Sequence, residues 1–233
     1  MNKLDLVHAA PTVHSGALAP IQDYLNEIHA RVSKIEGGAP ADYIPELGKI
    51  DPGLFGIAIA TVDGQLYTVG DARAPFTIQS VSKPFMYGYA IQHHGRPRVL
   101  QQVGVEPTGE AFNSIVLDEA ANRPFNPMVN AGAIAIAEMM QGETLDQRIN
   151  NMLELFSSLA GRKIDIDEAV YNSELATGHR NRAIAYMMLN TAMIEHDPEE
   201  VLALYFHQCA LSVNACDLAT MAATLANDGT NPI

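Results

Sequence analysis

The strongest local constraint on the fold is an Asp63-Gly64 step between two apolar runs, LFGIAIATV at 54–62 and QLYTVG at 65–70. An Asp-Gly pair readily takes the backbone angles of a tight reversal, so this pattern predicts a β-hairpin. The segment FTIQSVSKPF, 76–85, follows almost at once. Pro84 has no backbone N–H and fits a helix only in its first turn, so a helix must begin close to Ser80. Upstream, PIQDYLNEIHARVSKI at 20–35 sets Ile21, Tyr24, Leu25, Ile28, Val32 and Ile35 on one helical stripe, with Pro20 suited to the first turn.

Downstream the chain reads as mostly helical. Thr144 and Gln147 form a capping-box pattern for a helix ending at Gly161. Asp197 with Pro198 starts another, and Asn214 starts a last one that stops at Gly229. The fold class is therefore α+β: a small antiparallel sheet with a large helical lobe and no internal repeat.

With 233 residues, 48% of them hydrophobic, the chain can bury one large core, and 1–233 reads as a single domain. Lys and Arg total 14 against 27 Asp and Glu, a net charge of −13 that opposes nucleic acid and anionic membranes as partners. MNKLDLVHAAPTVHSG holds no apolar run long enough for a signal peptide, and GAIAIA at 132–137 is far too short to span a bilayer. Cys209 and Cys216 read as buried free thiols in a reducing, cytoplasmic setting. No metal or other cofactor is expected. His93 and His94 are adjacent rather than a turn apart and read as a solvated loop near Gly95. Asp165 and Asp167 lack the glycine and terminal glutamate of a calcium loop. No glycine-rich phosphate loop occurs.

Ser80 and Lys83 stand three residues apart, so on a helix they share a face. The positive end of the helix would favour a developing alkoxide, and burial would make the lysine a weaker acid-binder able to take a proton. This is the logic of Ser-x-x-Lys acyl transfer. From these residues alone a plainer reading stands beside it: Ser80 or Ser82 caps the helix and Lys83 is solvated. Ser82, adjacent to Lys83, points elsewhere on a helix and is the weaker nucleophile candidate. No lysine is followed by Ser-Gly or Thr-Gly, against a complete β-lactamase.

Several polar residues sit in apolar frames. Asn126 and Asn130 lie in RPFNPMVNAGAIAIA, Glu174 and Asn181 flank Gly178 in YNSELATGHRNRAIAY, Tyr205 lies in LYFHQCA and Tyr43 precedes Pro45 in DYIPEL. Taken singly, Asn130 could be a helix cap, Glu174 a surface charge and Tyr205 a core ring.

Taken together, DYIPEL, TVDGQLYTVGD, FTIQSVSK, NPMVNAGAI, SELATGHRNRAIAY and MAATLANDGTNPI, in that order, closely resemble the serine-dependent glutaminases, relatives of β-lactamases and penicillin-binding transpeptidases. The resemblance runs from about residue 20 to the last. It implies a β-lactamase/transpeptidase-like fold and hydrolysis of L-glutamine to L-glutamate and ammonia. It implies Ser80 as nucleophile, Lys83 as its base, and Tyr43, Gln79, Asn130, Glu174, Asn181 and Tyr205 as substrate-binding residues. A carboxylate such as Glu174 suits the substrate's ammonium, and amide or phenol donors suit its carboxylate. It also implies a homodimer or homotetramer.

Members of that family continue past Asn-Pro-Ile with a tyrosine, a Lys-Ser-Gly segment and further strands. C-terminal sheet strands are therefore expected to be missing from this chain. Two other readings fit the same residues: another amidase or penicillin-recognising hydrolase on this fold, and a truncated glutamine-binding protein without turnover.

Overall fold

The computed structural model describes residues 20–115, 117–118 and 120–233. The N-terminal stretch read above for a leader lies outside the described residues. Among them the chain is α+β, with two small antiparallel sheets and many helices.

The hairpin forms as expected. β1, Gly56–Ala60, pairs with β2, Leu66–Gly70, in a register that sets Ala60 opposite Leu66. Gly64 N–H closes the reversal on Thr61 O at 3.0 Å. Helix α1, Pro20–Val32, lies against this hairpin: the Gln22 amide donates to Thr68 O at 3.0 Å, and the His29 ring stacks on Phe55 with centroids 4.9 Å apart. Of the stripe read from sequence only Leu25 is buried; Tyr24 is exposed, and Ile35 lies past the helix end. A two-stranded sheet is too narrow to cover a whole helix face.

The helical lobe contains α2, Lys83–Gln102; α3, Asn130–Glu138; α4, Leu145–Ala160; α5, Glu168–Thr177; α6, His179–Asn190; α7, Pro198–Cys209; and α8, Ala215–Ala226. The caps read from sequence are formed. The Thr144 side chain accepts from Gln147 N, Asp197 from Glu199 N, and Asn214 from Asp217 N in a reciprocal capping box. In α2 the expectation of a His93-His94 loop fails, although His93 is exposed as expected. Both histidines are helical; His94 Nε2 meets Met139 O at 2.7 Å and His93 packs on Tyr89. The break falls one residue later, at Gly95, whose φ of 75° kinks the helix before Pro97.

α3 is the hub. Every residue from Asn130 to Ala137 is buried, and its small side chains let α2, α6 and α7 pack directly on it. Gly132 is required by that closeness: a Cβ there would lie 1.9 Å from Asn126 O and 3.0 Å from Pro127 Cα. Phe156, Tyr205 and Phe206 fill the largest spaces around the hub. Truncating Phe206 to alanine would cost about 3–5 kcal/mol.

A second sheet ties distant segments together. β5, Leu211–Val213, runs between β3, Phe76–Thr77, and β4, Asp165–Ile166, antiparallel to both. Ile78 N–H extends the pairing to Leu211 O at 2.9 Å. The sheet thus joins the entry to the Ser80 segment, the exit of α7 and the entry to α5.

Candidate active site

Ser80 sits in a single 3-10 turn, Gln79–Ser82, which hands over to α2 at Lys83, with Pro84 in the first α-turn. The helical segment therefore starts where Pro84 required. Gln79 enters it with φ 49°, a left-handed conformation unusual for a side-chain-bearing residue. Ser80 is exposed while Ser82 is fully buried. The Ser82 hydroxyl donates to Gln79 O at 2.7 Å and accepts from Gln208 Nε2 at 2.8 Å. Ser82 is thus occupied within the core and is no rival nucleophile.

Lys83 is 3% exposed, not solvated. Its Nζ donates to Met128 O at 2.9 Å and to Asn130 Oδ1 at 2.8 Å. The Phe112 ring centroid lies 5.7 Å from Nζ. Burial drives the amine down to about 8, against the opposing pull of the Glu174 carboxylate. As a neutral amine, Lys83 would spend both N–H groups on those two acceptors and keep its lone pair free. No hydrogen bond joins Ser80 Oγ to Lys83 Nζ among the described residues. The two groups belong to one turn, yet the amine is engaged by α3 and by the loop before it.

A cavity of about 240 Å³ opens over this turn. Its lining includes Tyr43, Gln79, Ser80, Asn130, Glu174, Asn181 and Tyr205, the seven sequence-derived residues other than Lys83. Lys83 joins them through Asn130. The Asn130 amide donates to Asn181 Oδ1 at 2.9 Å, and Tyr205 OH donates to Asn130 Oδ1 at 3.4 Å. Asn130 is the first residue of α3 but caps nothing with its side chain. Glu174 and Asn181 face the cavity from either side of the Gly178 break between α5 and α6.

Glu174 is no surface charge. It is 5% exposed, and its Oε2 is buried without a hydrogen-bond partner. Burial raises its carboxyl to about 8, against the pull of Lys83. Burial and then the Glu174 charge also raise the Tyr43 phenol.

The cavity holds residues that the sequence did not mark for a role: Ile44, Phe112, Asn113, Thr177, Arg180 and Cys209. Cys209, by sequence a small buried hydrophobe, has its thiol pushed well above the ordinary range by burial, so it stays protonated. Phe112 and Asn113 come from the connection between α2 and α3, whose sequence carries no periodicity to read. A larger cavity, about 550 Å³, lies between residues 37–56 and 71–76, but glycine, proline and apolar side chains dominate its wall. Among the described residues no three His, Cys, Asp or Glu side chains gather as a metal site would need. No helix there is long and apolar enough to cross a membrane.

The glutaminase family model matches residues 38–233. The glutaminase of Trichormus variabilis is 54% identical over 215 residues, spanning 92% of this chain and 64% of that protein. The glutaminase of Microcystis aeruginosa is 53% identical, spanning 92% of this chain and 63% of its own length. A crystal structure of Mglu in its tris and glutamate form superposes with a TM-score of 0.88 at 41% identity, over 93% of this chain and 48% of that one. The chain therefore spans a little under two thirds of the length of these two curated relatives. On the breadth of the family match and this level of identity, the chain belongs to the glutaminase family.

Proposed function

We propose that the protein of which these residues are part hydrolyses L-glutamine to L-glutamate and ammonia, with Ser80 as nucleophile and Lys83 as base. One observation carries the reading. Seven residues scattered from Tyr43 to Tyr205 line one small cavity over a buried amine. The cavity is of amino-acid size, and its polar groups suit a zwitterion.

The Glu174 carboxylate, lacking a partner at Oε2, takes the substrate ammonium. Asn181 and Tyr43 donate toward the α-carboxylate, and Tyr205, whose hydroxyl donates to Asn130 Oδ1, walls the pocket beside them. The side-chain amide then lies over the Ser80 turn. The exposed Ser80 side chain rotates toward the cavity, and its Oγ attacks the amide carbon while the Lys83 lone pair takes its proton. Backbone N–H groups, Ser80's among them, hold the oxyanion. Lys83 returns the proton to the leaving nitrogen and ammonia departs. Water, deprotonated by Lys83, cleaves the γ-glutamyl ester and frees Ser80. With the amine near 8, roughly a tenth of it is free base at pH 7.

The reading takes residues 1–233 as one glutaminase domain of β-lactamase/transpeptidase-like class. A Ser-x-x-Lys turn between a small sheet and a helical lobe around one core supports that class. It includes a reducing cytoplasmic setting, supported by the free thiols Cys209 and Cys216, and a homo-oligomeric state. It also keeps the expectation that further strands beyond residue 233 complete the sheet, as the chain's share of its relatives' length suggests.

Ammonia release from L-glutamine tests the reading, measured on this chain and on one extended at the C-terminus with a relative's residues. Turnover that requires Ser80 in either form is expected. A Ser80→Ala variant with undiminished turnover would remove Ser80 from the chemistry. The unformed Ser80–Lys83 hydrogen bond favours one second reading, glutamine binding without turnover. Calorimetric binding of L-glutamine with no ammonia from either form would select it.

A further inference from the structure

Ser82 and Gln208 are both fully buried, and neither lines the cavity. They nevertheless end on its most strained residue. Gln208 Nε2 donates to Ser82 Oγ at 2.8 Å, and Ser82 Oγ donates to Gln79 O at 2.7 Å. The direction of this relay is fixed by chemistry. A carbonyl only accepts, so Ser82 must spend its proton on Gln79 and can only accept from Gln208. That in turn sets which end of the Gln208 amide faces Ser82 and leaves its Oε1 buried with no partner. An unpartnered buried oxygen costs stability.

The Gln79 carbonyl shares its peptide unit with the Ser80 N–H. No cis peptide bond occurs in the described chain, and in a trans peptide the N–H points opposite the C=O. Drawing the Gln79 carbonyl toward buried Ser82 therefore turns the Ser80 N–H away from the core, on the residue that opens onto the cavity. The N–H finds no acceptor in the chain among the described residues. The left-handed φ of Gln79 is the backbone cost of that orientation. Successive donation from Gln208 to Ser82 to the carbonyl also polarises the peptide, which makes its N–H a stronger donor.

We propose that Gln208 and Ser82 are positioning residues that hold the Gln79–Ser80 peptide with its N–H aimed into the cavity as an oxyanion donor. The proposal rests on the reading of Ser80 as the acylated residue. It assigns α7 two tasks in a single turn: Tyr205 faces the substrate pocket, and Gln208 acts from behind the nucleophile's backbone.

The test compares wild type, Ser80→Ala, Ser82→Ala, Ser82→Thr and Gln208→Met, using L-γ-glutamyl-p-nitroanilide, whose acylation of the enzyme releases p-nitroaniline. Ser82→Ala and Gln208→Met should each lower kcat about 10- to 100-fold with KM within about twofold, because a misaimed donor loses part of what a deleted one loses. Ser82→Thr, which keeps the hydroxyl, should recover most of the rate. Amide NMR reads the same relay without turnover: L-glutamate should shift the Ser80 N–H resonance in wild type and Ser82→Thr and leave it unmoved in Ser82→Ala. If Gln208→Met does not fold, the Ser82→Ala and Ser82→Thr pair decides alone. Rates within twofold of wild type for Ser82→Ala, or an unaltered Ser80 N–H shift in it, overturn the relay. Activity in Ser80→Ala overturns the underlying reading instead, so the two failures are separable.

Discussion

Asp217 and Glu174 are hidden to the same degree, each 5% exposed, yet the fold treats them in opposite ways. Asp217, at the start of α8, is saturated. Its carboxylate accepts from Asn214 N at 2.8 Å and from Arg162 Nε and Nη2 at 2.7 and 2.5 Å. Glu174, near the end of α5, has an oxygen with no partner and a carboxyl raised to about 8. A buried carboxylate surrounded by donors fastens two segments together. One left short of donors costs stability until something positively charged arrives. The difference separates the scaffold from the site within one continuous core.

That contrast can be broken at several points. Ser80→Ala should lower ammonia release by at least about 10³-fold while the thermal midpoint stays within a few degrees, since the exposed hydroxyl holds nothing in place. Glu174→Gln should raise KM for L-glutamine about 10- to 100-fold in steady-state assays and leave the fold intact, because it removes the proposed partner of the ammonium but no internal bond. Asp217→Ala should do the reverse. Chemical denaturation should show a loss of about 3 kcal/mol, with KM and kcat unchanged wherever the protein is folded. Equal effects of the two carboxylates on both measurements would abolish the distinction.

Acidity sharpens the comparison further. In the proposed mechanism turnover needs Lys83 as free base and Glu174 as carboxylate, and both groups sit near 8. In both cases the active form lies on the alkaline side, so kcat/KM should climb with pH through about 8. Below that it should climb more steeply than one proton allows. The apparent values belong to the pair. In Glu174→Gln the slope should relax to one proton and the limb should move to lower pH, because the carboxylate no longer helps hold the Lys83 proton. A pH–rate profile with a single-proton slope in wild type would contradict the coupling. The smallest expected effect is that of Tyr205→Phe. Its hydroxyl makes one long bond to Asn130, so the change in KM should stay below about tenfold.

The parts of this molecule legible in sequence are those whose signals are local. Thr144, Asp197 and Asn214 cap the helices they announce because a cap needs only its own next three residues. Asp63-Gly64 announces its hairpin for the same reason, and Pro84 fixes the helical start for want of one N–H. The site residues were legible mainly through resemblance in ordered blocks, since Asn130 or Tyr205 alone looks like a cap or a core ring. What escaped is non-local. β3 and β4 are two residues each and exist only because β5 lies between them. The bond from His94 to Met139, far along the chain, is also invisible locally. The left-handed Gln79 carries no glycine or asparagine to advertise it. Lys83 turning to Met128 and Asn130 rather than to Ser80 is likewise a matter of tertiary geometry.

Gly132 touches no reactant, yet its missing side chain reaches the chemistry by leverage. Asn126, whose carbonyl abuts it, also receives the N–H groups of Met128 and Val129 at 3.0 and 3.2 Å. The Met128 carbonyl is one of the two acceptors steadying the Lys83 nitrogen. A single methyl at position 132 would wedge helix and loop apart, and the displacement would pass along three residues to the proposed base. Even an alanine there would act as an active-site lesion, delivered from the far side of the helix.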